Sequence, residues 1–298
     1  MMKYQDHAYI PSEAMGIMTA RTLANSHPIL LGLLAPGMSV LDVGCGPGTL
    51  TMEMARRVHP GAVVGMDVNH EMVATAEEAS PPGKIPNLVF YKGDIRKSGW
   101  AGEFDLVNAA RVLQWIPDAA AALTAMARAA KRGGFVVILD FNHLKAEWSR
   151  PPAAWTRFYQ AFLDWRAAAG LDNAIADHLG GMCEALGLVE IEVTPQVETV
   201  RAGDADFFRA AGIWRMVIES RGRQMVGAGQ VTEDERRGAL EAYTGWMQTA
   251  DATQTLHEAA LVARAPINHG QRTLALSPQG RGSPPPWTPS PSTSAGSA

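Results

Sequence analysis

Residues 40–50, VLDVGCGPGTL, place glycines at alternate positions, Gly44, Gly46 and Gly48, just past an acid, Asp42. Glycine lacks a Cβ, so such a loop turns tightly and lets backbone approach a ligand closely. The spacing is G-x-G-x-G rather than the dinucleotide G-x-G-x-x-G, and the Gly-Lys-Ser/Thr of a phosphate loop is missing. A carboxylate at Asp42 would repel a pyrophosphate seated on the following helix and attract an ammonium or sulfonium centre. The loop therefore suits a cationic nucleoside. Cys45, inside the turn, reads as a small buried spacer rather than a nucleophile.

Further candidates recur at regular intervals. Asp67 lies nineteen residues after Gly48, where a carboxylate can accept hydrogen bonds from ribose hydroxyls. Gly93-Asp94-Ile95 follows the next apolar run, so that Asp94 could take an adenine amino group. FDLVNAA (104–110) leads into Arg111, Gln114 and Trp115, while Asp105 reads as a structural acid at a strand start.

These residues need a scaffold that brings the ends of successive strands together. MSVLDV (38–43), AVVGM (62–66), NLVFY (87–91), FDLVNAA and GFVVILDF (134–141) are near-continuous apolar runs, as in strands buried on both faces. Residues 48–58, 69–79 and 118–131 are helix-compatible, with Asn69 and Asp118 at N-cap positions. Strand, helix and strand at this spacing read as consecutive right-handed βαβ units. Residues 12–34 form one or two helices broken near His27-Pro28. Residues 178–195 read as a helix, a turn at Gly187 and a sixth strand, residues 204–251 as a helical insertion, and residues 256–266 as a last strand. The expected organisation is an N-terminal helical segment (1–35), a main domain (36–266) with a helical cap within about 143–177 and 200–252, and a tail (267–298). From Ser277 onward 17 of 22 residues are Ser, Pro, Gly or Thr, too few apolar groups to order that tail. A chain truncated at 267 is expected to keep its activity.

Composition narrows the function. The 298 residues are 47% hydrophobic with a net charge of −4, and no apolar run approaches the roughly 20 residues of a transmembrane helix. Residues 1–15 have no basic patch followed by an apolar stretch, so a secretory signal is not expected. The two cysteines, Cys45 and Cys183, form no disulfide framework, and no metal site is expected, His178 and Cys183 lacking further ligands. The expectation is a cytoplasmic protein. The last 32 residues hold two arginines and no acid, so residues 1–266 carry −6, which disfavours nucleic acid as a partner.

VLDVGCGPG, GMDVN, KGDI, FDLVNAARVLQWIPD and KRGGFVVILDF, in this order, resemble the class I S-adenosylmethionine-dependent methyltransferases, and within them the group that includes the ubiquinone/menaquinone C-methyltransferases. The likeness covers residues 36–142 strongly and 178–266 weakly; Arg132 stands where the family often has Pro. It implies an α/β, Rossmann-like doubly wound, mostly parallel seven-stranded sheet and S-adenosyl-L-methionine as cofactor. It places Gly44, Gly46 and Gly48 around the methionine part, with Asp42 near its amino group and Cys45 between them. Asp67, with Val68 and Met72, would meet the ribose, and Gly93, Asp94 and Ile95 the adenine. Ala109, Arg111 and the residues that follow would face the methionine portion and the substrate.

The resulting expectation is methyl transfer to a small apolar or aromatic acceptor by in-line displacement, for which the protein mainly aligns the acceptor and excludes water. A general base serves only an acceptor of high pKa; His143, taken as just past the fifth strand, and Tyr159 are the main candidates, with His7 and Tyr9 behind them. Tyr9, Gln114, Trp115 and Trp155 are candidate substrate contacts, since aromatic residues could steady a sulfonium, although core packing explains most aromatics here. The competing readings are a catalytically silent S-adenosylmethionine-binding protein, a methyltransferase acting on RNA or protein, and an NAD(P)-dependent oxidoreductase.

Overall fold

The computed structural model describes residues 18–267. Tyr4, His7, Tyr9 and Met15 lie outside the described residues, as does the Pro/Ser-rich segment from 268 on. Two short helices, α1 (Leu23–Ser26) and α2 (Pro28–Leu33), meet at His27, where the sequence expects a break. Then β1 (Val40–Val43), α3 (Thr49–Val58), β2 (Val63–Asp67), α4 (His70–Ala79) and β3 (Leu88–Lys92) alternate. β4 (Phe104–Ala110), α5 (Ala119–Ala129) and β5 (Ala130–Trp148) follow, with 3-10 turns at Ile95–Lys97 and Leu113–Trp115. The second half holds α6 (Ala153–Ala168), α7 (Ile175–Ala185), β6 (Val189–Arg201), α8 (Phe207–Gly227), α9 (Glu233–Trp246) and β7 (Thr253–Arg264).

The strands form one seven-stranded sheet in the order β3-β2-β1-β4-β5-β7-β6. β1 to β5 are parallel, and β7 runs antiparallel to both β5 and β6. The fold is thus the Rossmann-like, mostly parallel α/β sheet that the alternation of apolar runs and helices implies.

Adjacent residues of one strand serve opposite faces, as the pleat requires. Val40, Val63, Leu106 and Val137 pack with Leu23, Leu30, Met54 and Val58 of α1, α2 and α3. Leu41, Val64, Val107 and Ile138 pack with Leu123 and Met126 of α5 and Leu179 and Cys183 of α7. Each fully buried aliphatic side chain here contributes about 1.5–3 kcal/mol. Both expected caps form: Asn69 Oδ1 accepts the Glu71 N–H at 2.9 Å, and Asp118 Oδ1 accepts the Ala121 N–H at 3.0 Å.

A third cluster joins α6, α8 and α9 to β6 and β7 through Trp155, Phe158, Phe162, Trp214, Tyr243 and Trp246. Two expectations need correction. β5 does not stop at 141 but runs to Trp148, because β7 pairs with it beyond a register shift between Asn142 and Glu147. His143 therefore lies within the strand, and the helices that follow begin only at Ala153.

Candidate functional site

The carboxyl ends of β1, β2, β3 and β4 and the central part of α8, from Ile213 to Arg221, enclose a cavity of about 190 Å³. Such a crevice is where open α/β sheets take ligands. The glycine loop forms one wall. Gly44, Gly46 and Gly48 all have positive φ, at 70°, 54° and 78°, a region that costs an L-residue roughly 1–2 kcal/mol. A Cβ on Gly44 would stand 2.3 Å from Val112 Cγ2, and one on Gly48 2.6 Å from Phe90 Cζ. Gly44 and Gly46 line the cavity; Gly48 and Cys45 do not. Cys45 is buried, and burial pushes its thiol well above the usual range, in keeping with a spacer.

Asp67 ends β2 and lines the cavity. Its Oδ2 accepts the Gly46 N–H at 3.0 Å and its Oδ1 the Asn69 N–H at 2.8 Å, so one carboxylate ties the glycine turn to the cap of α4. Burial nonetheless raises its pKa, backbone hydrogen bonds from Asn69, Gly46 and Val68 opposing the shift. Each oxygen still has acceptor capacity for a ligand. Val68, Met72, Gly93, Asp94 and Ile95 complete this end of the cavity. Asp94 caps the turn that follows β3 and is paired with Arg96 at 2.7 Å, which helps hold its carboxyl below the ordinary range against partial desolvation.

Asp42 is placed differently from the expectation. It does not line the cavity; its Oδ2 accepts the Thr51 hydroxyl at 2.6 Å and its Oδ1 the Asn108 amide at 2.8 Å. Asn108 is its register partner on β4, so the acid is consumed between neighbouring strands and the first turn of α3. Burial raises it to about 6 despite those two donors. Ala109 points into the core, and it is Ala110 that meets the cavity.

On the far side of the cavity, Gln114 is fixed from three directions. Its N–H donates to Asp140 Oδ2 at 3.1 Å, its carbonyl accepts Arg166 Nη2 at 2.9 Å, and its Oε1 meets His143 Nε2 at 2.7 Å. An amide oxygen only accepts, so His143 Nε2 carries the hydrogen and Nδ1 is the bare nitrogen. Burial holds His143 well below the usual histidine range, with the Arg166 charge adding to it. Trp115 lines the cavity with the guanidinium carbons of Arg166 and Arg221 at 4.6 and 4.5 Å from its ring centroid. Arg111 adopts φ 61°, unusual for a residue with a side chain, and pairs with Glu258.

The cavity thus gathers Gly44, Gly46, Asp67, Val68, Met72, Gly93, Asp94, Ile95, Arg111, Gln114, Trp115 and His143 of the expected residues. Trp155 and Tyr159 do not line it: both are buried in the aromatic cluster, and the Tyr159 hydroxyl donates to the His143 carbonyl at 2.7 Å. Tyr9 lies outside the described residues. Arg21, Arg221, Asp140 and Arg166 were not among the expected residues. For two of them a sequence signal existed: Arg166 follows Phe162 by four positions and Arg221 follows Ile218 by three, charges set in the apolar stripe of a helix.

The methyltransferase-domain family matches residues 34–176. A trans-aconitate 2-methyltransferase from Methylobacterium radiotolerans is 30% identical over 226 residues, covering 71% of this chain and 78% of its own. An uncharacterized methyltransferase of Schizosaccharomyces pombe is 38% identical over 114 residues, 36% of this chain and 41% of its own length. Among solved structures, a putative methyltransferase from Bacillus halodurans shares the fold with a TM-score of 0.51 at 17% identity, covering 86% of this chain and all of that one.

Proposed function

The chain belongs to the class I S-adenosylmethionine-dependent methyltransferases, and we propose that it moves the cofactor's methyl group to a small molecule held between the sheet edge and α8. The observation that carries this reading is Asp67, whose two oxygens bind the glycine loop and the start of α4 while the carboxylate lines the cavity. A dihydroxy sugar would be accepted there by the remaining lone pairs. The backbone at Gly44 and Gly46 packs directly against Val112 and Met18, where a Cβ would intrude, and Val68, Met72 and Ile95 supply an apolar bed for a purine beside Asp94. These residues fit a sulfonium nucleoside.

When bound, S-adenosylmethionine supplies a methyl group on a positively charged sulfur, an electrophile that needs no activation by the protein. The chain's own work is then alignment and exclusion of water. Gln114 and Trp115 are held by Asp140 and Arg166 rather than left on a free loop, and they face the cavity with Phe141, His143 and Trp214. Tyr159 acts through the backbone of His143 as a positioning residue. Asp42 keeps the glycine loop's strand in register with β4 rather than touching the ligand. A small-molecule acceptor is supported by the relative named for trans-aconitate, of which this chain covers 78%.

Calorimetric titration with S-adenosylmethionine and S-adenosylhomocysteine tests the reading. Micromolar binding that Asp67→Ala weakens roughly ten- to hundredfold is expected, the size of one or two charge-assisted hydrogen bonds. Equal affinity in parent and variant would remove Asp67 from the ribose. Binding without transfer to any fraction of small metabolites would favour the catalytically silent alternative.

A further inference from the structure

The hydrogen-bond acceptors of the cavity are sorted by strand order. Asp94 follows β3 and Asp67 ends β2, so the carboxylates that line it stand at the nucleoside end of the sheet's carboxyl edge. Gln114 follows β4 and His143 lies on β5, at the other end, which α8 closes with Trp214 and Ser220. Lone pairs are scarce there. Among the described residues no carboxylate lines this end, and Gln114 Oε1 is taken by His143 Nε2 at 2.7 Å. Ser220 turns its hydroxyl back on the Met216 carbonyl at 2.6 Å. Nδ1 of His143 stays bare.

That nitrogen is held in a fixed place. The His143 N–H donates to the Asn173 carbonyl at 2.7 Å, and the His143 carbonyl accepts the Tyr159 hydroxyl at 2.7 Å. The ring stacks on Phe141, 28° from parallel with centroids 5.5 Å apart, and meets Phe162 and Trp214 edge-on at 5.9 and 6.1 Å. His27 and Trp214 keep unpartnered ring nitrogens wholly enclosed, but His143 Nδ1 is not enclosed. With no partner among the described residues, it opens on the cavity that its ring borders. Burial, with the Arg166 charge, keeps the ring neutral at physiological pH, so the lone pair is available. A nitrogen drawn out of water is costly until a donor meets it.

We propose that His143 Nδ1 selects the methyl acceptor, receiving a hydrogen bond from an O–H or N–H on a flat, unsaturated body laid against Phe141, Phe162 and Trp214. The inference rests on the methyltransferase reading and adds to it the group by which the acceptor is recognised. The contact is a hydrogen bond and not a proton transfer, because the ring is too weak a base to take the proton. A molecule of the same shape without the donor would leave Nδ1 unpaired, and sites that hydrogen-bond a substrate reject such analogues strongly. Gln114 fixes the tautomer: its oxygen holds the hydrogen on Nε2, which makes Nδ1 an acceptor. The three rings supply the flat walls that a planar body needs.

The experiment uses the full chain saturated with S-adenosylhomocysteine, a titration that by itself confirms or removes the cofactor reading. Phenol is then titrated calorimetrically beside fluorobenzene, and indole beside benzofuran, pairs matched in shape in which one member has the donor. The donor-bearing member is expected to bind about tenfold tighter, the size of one hydrogen bond. His143→Gln keeps a donor for Gln114 but has nothing at Nδ1, so each pair should come within about twofold. S-adenosylhomocysteine affinity of the variant, read in the same cell, shows that it is folded. His143→Asn, whose amide oxygen can stand near Nδ1, should recover part of the preference, which a merely structural role for the ring would not do. Equal binding within both pairs, a ratio unchanged in His143→Gln, or no binding of phenol and indole while S-adenosylhomocysteine binds, would overturn the inference and leave the cofactor reading standing.

Discussion

Arg111 and Glu258, 147 residues apart in sequence, form a two-pronged ion pair, Nε to Oε1 at 2.5 Å and Nη2 to Oε2 at 2.9 Å. The pair joins the exit of β4 to β7 across the intervening β5. Ser26, at the end of α1, completes it by accepting from the same guanidinium. One side chain thereby ties the N-terminal helices, the first five strands and the antiparallel returning strand at the rim of the cavity. The positive φ of Arg111 is the local cost of aiming its side chain there.

Removing one partner leaves the other charge desolvated. Glu258→Ala is expected to lower stability by about 3–5 kcal/mol, whereas Glu258→Gln, which can still accept from the fork, should lose less. Urea denaturation of the three proteins measures this. Equal midpoints for parent and Glu258→Ala would mean that the pair is held together by its surroundings and contributes nothing of its own.

The glycine loop gives a prediction about shape rather than charge. At Gly44, φ is 70° and a Cβ would approach Val112 Cγ2 to 2.3 Å, so alanine both strains the backbone and pushes the residue that starts the cavity's far wall. Gly44→Ala is expected to reduce S-adenosylhomocysteine affinity at least tenfold by calorimetry. Gly83→Ala supplies the control, because Gly83 also has positive φ but nothing within 4 Å of its would-be Cβ. Equal affinities in the two variants would assign the loss to general destabilisation.

Much of this arrangement was legible in the residues. Parallel-sheet strands are continuous apolar runs, and caps such as Asn69 and Asp118 act within one turn, so both announce themselves locally. Asp67 and Gly93–Ile95 were legible because strand ends recur at a fixed spacing. Asp42 misled because its partners, Thr51 and Asn108, are brought to it only by α3 and by strand register. His143 misled for a related reason: its strand continues because β7 pairs with it, which no local pattern encodes. The cap arginines, Arg166 and Arg221, carried a periodic signal, but their convergence on Trp115 is a tertiary fact.

Asp42 makes stability depend on pH. Burial raises it from 3.8 to about 6, so the folded state holds its proton more tightly than the unfolded chain. Its contribution is therefore most favourable below pH 3.8, is lost as pH rises through about 6, and is constant above that. The difference corresponds to about 3 kcal/mol. In Asp42→Asn the amide can accept from Asn108 and donate to Thr51, so the variant should gain on the parent between pH 4 and pH 7.5. Urea midpoints of both proteins at these two values test it. A stability difference that does not change with pH would mean that the acid is ionised in the fold throughout.

His143 yields the sharpest statement about mechanism. Burial holds its pKa well below 6.5, with Arg166 adding to the shift, so the ring is neutral across the physiological range. Nε2 is occupied by the Gln114 oxygen, which leaves only the weakly basic Nδ1 to receive a proton. Such a group orients Gln114 rather than deprotonating a hydroxyl. The ring Cε1–H resonance, assigned by its loss in His143→Gln, should show no titration between pH 6 and pH 8. The glutamine can still donate to Gln114, so cofactor affinity in that variant should stay within about threefold of the parent, well inside one hydrogen bond. A transition near pH 6.5 in the parent would instead make His143 a competent general base, and with it an acceptor that must lose a proton to react.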